Sequence, residues 1–203
     1  AKKIGISFSS TPYSEEEVNF LVDECNPAFI KIASMDLNNH LFLKFIARKK
    51  TPVILSTGMG TIKEIESAVK ILVSNGQKNI CILHCVSLYP LDHKVANLKN
   101  ISMLRKKFKY IPIGYSDHSI GTTLPISSIA LGACIIEKHF TLDNKLKGPD
   151  HKCSLNPKQL KAYVEKIRET EIMLGQNIKS IQSCEKKNVV SVRKSLVAKK
   201  NIV

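Results

Sequence analysis

Six short apolar runs recur along the chain, each followed by an amphipathic stretch. They are IGISF at 4–8, AFIKIA at 28–33, PVILS at 52–56, NICILHC at 79–85, IPIGY at 111–115 and ACIIEKH at 133–139. The spacing leaves room for one strand, one helix and two loops in each unit. Continuous rather than alternating apolarity suits parallel strands covered on both faces. The stretches between carry helix signals. Ser14 with Glu17 and Thr61 with Glu64 have the spacing of capping boxes. Val18, Leu21, Val22 and Cys25 are the expected buried face of the first helix, and Ile62, Ile65, Val69, Leu72 and Val73 that of a later one ended by Gly76. Asn156–Pro157 opens a long helix with an apolar stripe of Leu160, Val164, Ile167 and Leu174 before Gly175.

Strand–helix units repeated in one direction mean an α/β fold, either closed into a barrel or open and doubly wound. No G-x-G-x-x-G follows a strand, so a dinucleotide fold gains no support. Polar residues gather at the carboxyl ends of five runs: Lys31 and Ser34, Ser56 and Thr57, His84 and Ser87, Ser116 and His118, Glu137 and His139. A barrel keeps its site there, on many strands at once, whereas an open sheet binds mainly at one switch point. The expectation is an incomplete (β/α)8 TIM barrel with about six of eight units. It occupies residues 1–175, and a basic tail or linker follows at 176–203.

Bulk properties narrow the function classes. The chain has 203 residues, enough for one domain with a tail, and no apolar run long enough to span a membrane. The basic start AKKIGISFSS turns to Ser, Thr and Pro too early for a signal peptide, and its lack of an initiator Met suggests a processed or truncated product. The six cysteines contain no C-x-x-C pair, and Cys81, Cys85 and Cys134 sit in apolar runs, which points to reduced thiols and the cytosol. The net charge of +14 is spread from end to end, aromatics are 6% and Trp is absent. Base-stacking platforms are therefore poor, and the basic charge is read as helix surface or attraction for an anionic small substrate, not nucleic acid.

His118 and His139 stand at the ends of successive runs, where neutral imidazoles can share a Mn²⁺, Zn²⁺ or Fe²⁺ ion with positions left open for catalysis. The bland alternative is a hydrogen-bonded polar residue at each strand end. Lys31 lies inside an apolar run and needs an anion to bind, a Schiff base to form, or a stem that snorkels outward. Lys138 has the opposite parity to His139 and should face the outer helices or solvent. Ser34, Ser56, Thr57, Ser87 and Ser116 would complete a cup for a phosphorylated, carboxylated ligand, and STGMG at 56–60 would add backbone N–H groups. His84 and Cys85 point to opposite strand faces and make no thiol–imidazole pair. Asp150, after Gly148–Pro149, is either a turn carboxylate or a group reaching over the mouth to a polyhydroxylated substrate.

Taken together, FSSTPYS, KIASMD, ILSTGMGT, LHCVSLYP, GYSDHSIG, ALGACIIEKHFTLD and KGPDHKCSLNP resemble, in order, the motifs of the sialic acid synthase family. The resemblance runs from about residue 5 to about residue 200. It implies a (β/α)8 barrel that condenses phosphoenolpyruvate with a 2-acetamido sugar, N-acetylmannosamine or an analogue, and releases phosphate. By motif, His118 and His139 match the ligands of a divalent metal, Mn²⁺ first and Mg²⁺ or Co²⁺ as alternatives. Lys31, Ser34, Ser56, Ser116 and Tyr89 match the phosphoenolpyruvate cup, and Thr11 a further contact across a one-residue gap. Ser87 stands where some members have Asn. Asp36 stands where some have a sugar-binding Glu and has the shorter side chain. Asp150 matches a sugar-holding carboxylate, and Lys31, Asp150 and Glu137 form the catalytic set. The resemblance also implies a homodimer, two further strand–helix units upstream, and a small antifreeze-like domain downstream that covers a partner's barrel. The chain is thus expected to be a core fragment of impaired activity. A Schiff-base aldolase through Lys31 and an inactive ligand-binding fragment are the competing readings.

Overall fold

The computed structural model describes residues 1–201. The chain divides into a unit of Ala1–Met173 and a smaller one from Leu174 onward. The larger unit alternates strands and helices: β1 Ser9–Ser10, α1 Glu15–Phe20, β2 Phe29–Ile32, α2 His40–Arg48, β3 Val53–Ser56, α3 Ile62–Ser74, β4 Ile80–Cys85, α4 Lys99–Lys107, β5 Ile113–Asp117, α5 Thr123–Ala130, β6 Ile136–Lys138 and α6 Pro157–Leu174. The six strands form one parallel sheet in sequence order, each paired with the next. Lys31 on β2 nevertheless pairs with Glu137 on β6, across three intervening strands. The sheet is therefore curled into a half-barrel with its carboxyl ends at one rim.

The core lies between the sheet and its outer helices. Outward residues Ile30, Ile32, Val53, Leu55, Ile82 and Tyr115 are almost fully buried against Val18, Leu43, Ile46, Ala68, Leu72, Ile101 and Leu104. The Thr61–Glu64 capping box is complete, so the N–H groups of Thr61 and Glu64 at the start of α3 are satisfied by each other's side chains. Ser14 caps α1 through the Glu17 N–H, but the Glu17 carboxylate reaches back to the Tyr13 N–H instead of closing the box on Ser14. Leu21–Cys25 then continues the helix as a π-helical turn, ended by Asn26 at φ +48.

Several expectations are corrected. The run at 4–8 is not a strand: Lys2–Ile4 is a 3₁₀ turn, Gly5 is left-handed, and β1 is only Ser9–Ser10. Ile4, Ile6 and Phe8 are 71%, 62% and 45% exposed, so no described layer packs on them to favour extension. Val73 is exposed, and Ala68 takes its place on the buried face of α3. On α6 the buried residues are Tyr163 and Thr170, while Val164 and Leu174 face solvent. Two hydroxyls displaced the aliphatics there because each has an acceptor: Asp117 for Tyr163, and the Lys166 carbonyl for Thr170. Cys81 and Cys85 are buried as expected, whereas Cys134 is exposed.

Candidate active site

Strand parity decides what reaches the rim. The ladder pairs Lys31 with Ile54, Ile54 with Cys81, Ser56 with Leu83, Cys85 with Ser116, and Ser116 with Glu137. All share the inner face, because side chains alternate along a strand. Lys31, Ser56, Cys85, Ser116 and Glu137 line a cavity of about 460 Å³, together with Thr11, Ser34, Ser87, Tyr89, His118 and His139. Gly58 lets the backbone enter this crowd. A Cβ there would meet Ser87 Oγ at 2.2 Å and Ser34 Oγ at 2.9 Å.

Within the cavity a chain of polar contacts runs from β2 to β6. Lys31 Nζ lies 3.3 Å from Glu137 Oε2. Ser116 Oγ donates to Glu137 Oε1 at 2.6 Å and lies 3.3 Å from His118 Nε2. His118 Nδ1 lies 2.9 Å from the Val86 carbonyl, which can only accept, so Nδ1 carries the proton. The one proton of Ser116 goes to Glu137, which leaves the Nε2 lone pair of His118 without a donor. Burial holds this imidazole below its ordinary pKa. The Val86 carbonyl opposes that shift, and the neighbouring His139 reinforces it. A neutral imidazole with a free Nε2 is the form that ligates a metal.

The two rings, His118 and His139, are 5.4 Å apart between centroids. Tyr89 packs on both, at 4.1 Å from His118 and 5.5 Å from His139. Its phenol is pushed up to about 12, by burial first and then by the Cys85 thiol and the Asp150 and Glu137 carboxylates, so it remains a donor. Asp150 Oδ2 lies 3.9 Å from His139 Nδ1, at the rim and not in the cavity wall. Among the described residues no group of three or more His, Cys, Asp and Glu side chains stands ready around a metal. The donor set is the imidazole pair. Ser56 Oγ is buried with no partner, a donor in the cavity wall waiting for an acceptor.

The structure thus brings together Thr11, Lys31, Ser34, Ser56, Ser87, Tyr89, Ser116, His118, Glu137 and His139, with Asp150 alongside. Asp36 does not join them. It is 8% exposed, its Oδ1 accepts from Asn39 Nδ2 at 3.1 Å, and its Oδ2 is buried without a partner. Ser34–Asp36 is a 3₁₀ turn, and a turn of three residues rotates position 36 away from the face that position 34 presents. The loop at 56–60 is also corrected: Gly58 N–H already donates to Ser34 Oγ and Gly60 N–H to the Thr57 carbonyl. His84 and Cys85 diverge as parity requires, with His84 Nε2 2.8 Å from the Ala96 carbonyl under the helices. Lys138 turns outward into protein rather than solvent, 3.1 Å from Asp117. Sequence reasoning missed Cys85 as a wall residue and Val86 as the group orienting His118. The alternation Cys85, Ser87, Tyr89 was the available signal for the first; nothing local announced the second.

Comparison with known proteins finds relatives along the whole chain. A model of the NeuB family matches residues 1–179. The N,N'-diacetyllegionaminic acid synthase of Campylobacter jejuni is 46% identical over 204 residues, covering 100% of this chain and 60% of that protein. The human N-acetylneuraminate-9-phosphate synthase is 40% identical, covering 100% of this chain and 56% of that protein. Among solved structures, the N-acetylneuraminic acid (sialic acid) synthetase of Leptospira borgpetersenii, in complex with citrate, superposes with a TM-score of 0.87 at 38% identity, over 96% of this chain and 68% of that one. The chain spans about six-tenths of the length of the curated relatives it matches.

Proposed function

The chain belongs to the NeuB family, and from that premise we propose that its cup takes phosphoenolpyruvate and a 2-acetamido sugar and joins them into a nonulosonic acid with release of phosphate. The observation that carries the reading is the convergence of one ammonium, four serine hydroxyls and two imidazoles on a single rim cavity. Lys31 is the cationic end. Its ammonium lies 3.3 Å from Glu137, a contact that a phosphate or carboxylate would compete for. Ser56, whose hydroxyl has no partner, and Ser34, Ser87 and Ser116 supply neutral donors around the same anion. Glu137 binds both Lys31 and Ser116, and so links the anion end to the imidazole end.

His118 and His139 are the residues that would hold a divalent metal, Mn²⁺ in the first instance. The free Nε2 lone pair of His118 and the closeness of the rings fit such an ion. When bound, the metal would supply Lewis acidity toward the sugar aldehyde. Asp150, beside His139 and half exposed, would accept hydrogen bonds from sugar hydroxyls. A cytoplasmic location and a dimer in which a second copy covers the rim belong to the same reading. On the structural side, no described helix is long and apolar enough to cross a membrane.

The test is phosphate release by this chain, alone and with the flanking segments its relatives carry, given phosphoenolpyruvate, N-acetylmannosamine or an analogue, and Mn²⁺. Release should require both substrates and stop with chelator. Turnover that ignores chelation would sink the reading. So would a borohydride-trapped adduct on Lys31, although the ion pair with Glu137 disfavours that imine route. Tight binding of phosphoenolpyruvate without turnover in any form would leave a binding module instead.

A further inference from the structure

Behind the imidazole pair, on the outer face of the sheet, lies a second polar cluster that the proposed reaction does not use. Asp117 and Lys138 are opposite each other in the β5–β6 ladder, and both strands end at these residues. His118 and His139 follow each by one position, past the β5–β6 ladder; there the His118 carbonyl takes the Leu91 N–H and the His139 carbonyl the Leu155 N–H, each at 2.9 Å, so neither backbone bonds to the other's strand. The outward pair is closed to solvent, with side-chain exposures of 0% for Asp117 and 4% for Lys138, and Nζ lies 3.1 Å from Oδ2. Every acceptor of Asp117 is used. Oδ1 takes the Ser119 N–H at 2.9 Å and the Ser119 hydroxyl at 2.6 Å, and Oδ2 takes Lys138 and the Tyr163 hydroxyl, each at 3.1 Å. Lys138 also donates to the Ser119 carbonyl.

Stability alone does not account for this arrangement. A buried ion pair loses its hydration, and apolar residues of the same volume often serve the fold as well or better. What the pair does is geometric. Asp117 and Ser119 bracket His118, and Lys138 precedes His139. One salt bridge therefore ties together the backbone that carries both rings, and Tyr163 anchors it to α6. We propose that Asp117, Lys138, Ser119 and Tyr163 form an outer-face clamp whose task is to hold His118 and His139 at one separation and orientation. These are positioning residues, because none of the four side chains needs to touch substrate or metal. The proposal rests on the metal reading for its purpose, though not for its geometry.

The experiment compares this chain with Tyr163→Phe, Asp117→Asn/Lys138→Met and His118→Ala. The first removes one hydroxyl and the second neutralises the pair without stranding a charge. Ring ¹⁵N spectra of the metal-free proteins are the first readout. The unaltered chain should show His118 as a single Nδ1–H tautomer. The double variant should show tautomer averaging and shifted ring signals at His118 and His139, with its melting temperature retained; Tyr163→Phe should show a weaker form of the same change. Unchanged ring spectra in both variants overturn the clamp. Should the double variant fail to fold, Tyr163→Phe alone decides. The second readout is Mn²⁺ titration followed by electron paramagnetic resonance. Affinity should drop in the double variant, by up to the roughly 10–100-fold that follows loss of a partner bonded directly to a ligating imidazole, and vanish in His118→Ala. Mn²⁺ binding that is absent from the unaltered chain, or survives His118→Ala, defeats the metal reading and leaves the ring spectra to judge the clamp. His118-dependent binding of equal strength in the double variant defeats the clamp and spares the metal reading.

Discussion

At the scale of single residues, the cup depends on Gly58 carrying no Cβ. Gly58→Ala drives a methyl into Ser87 and Ser34. The expected result is a loss of about 1–3 kcal/mol of stability from overpacking and weaker phosphoenolpyruvate binding, read by chemical denaturation and calorimetry. His84 makes a pH prediction. Burial lowers its pKa, and the Ala96 carbonyl only partly offsets this. The unfolded chain then binds a proton in the window from about 6.5, the unperturbed value, down to the depressed folded value. Stability should accordingly be full above that window and fall as pH drops through it. Melting curves at neutral and mildly acidic pH should show the fall, and His84→Gln should flatten the part due to this residue. His118 shifts in the same direction and should leave a remainder. Parity separated His84 from Cys85 and turned Lys138 away from His139 in advance, since alternation is a property of the strand itself, but Cys85 was not singled out as a wall residue. Asp36 lies outside the cavity wall because a short 3₁₀ turn rotates it away, and no neighbour in sequence signals that turn.

At the scale of elements, the helices were readable where their ends are satisfied by adjacent residues. The Thr61–Glu64 box of α3 is closed within four positions of chain, and Asn156 and Gln159 exchange bonds in the same way at the start of α6. The segment between β6 and α6 was not readable, because one side chain organises it from the middle. Asn144 Nδ2 donates to the His151 carbonyl at 3.0 Å and the Ser154 carbonyl at 2.7 Å, while its Oδ1 accepts from Asn156 at 3.1 Å. This staple ties down residues on the C-terminal side of Asp150, which lies 3.9 Å from His139. Asn144→Ala should cost about 1–3 kcal/mol through the groups left unpaired. It should also raise amide exchange across 143–155 and weaken sugar binding more than phosphoenolpyruvate binding. Equal losses for both ligands would count against a role specific to Asp150.

At the scale of the whole molecule, the charge of +14 acts on anything anionic that approaches. Phosphoenolpyruvate association should slow steeply as salt rises from about 0.01 to 1 M, where the screening length shrinks from about 30 to 3 Å. Stopped-flow rates that ignore salt would confine the attraction to Lys31. The repeated apolar runs, the capping residues and the polar strand ends were determined by the sequence alone, because each is an interaction among near neighbours or an alternation imposed by the backbone. Only the tertiary structure decided that Lys31 meets Glu137, that Val86 sets the tautomer of His118, and that Tyr163 backs the imidazole pair from α6. Those partners are brought within reach by the curl of the sheet and the return of a distant helix, and the chain between them carries no mark of the meeting.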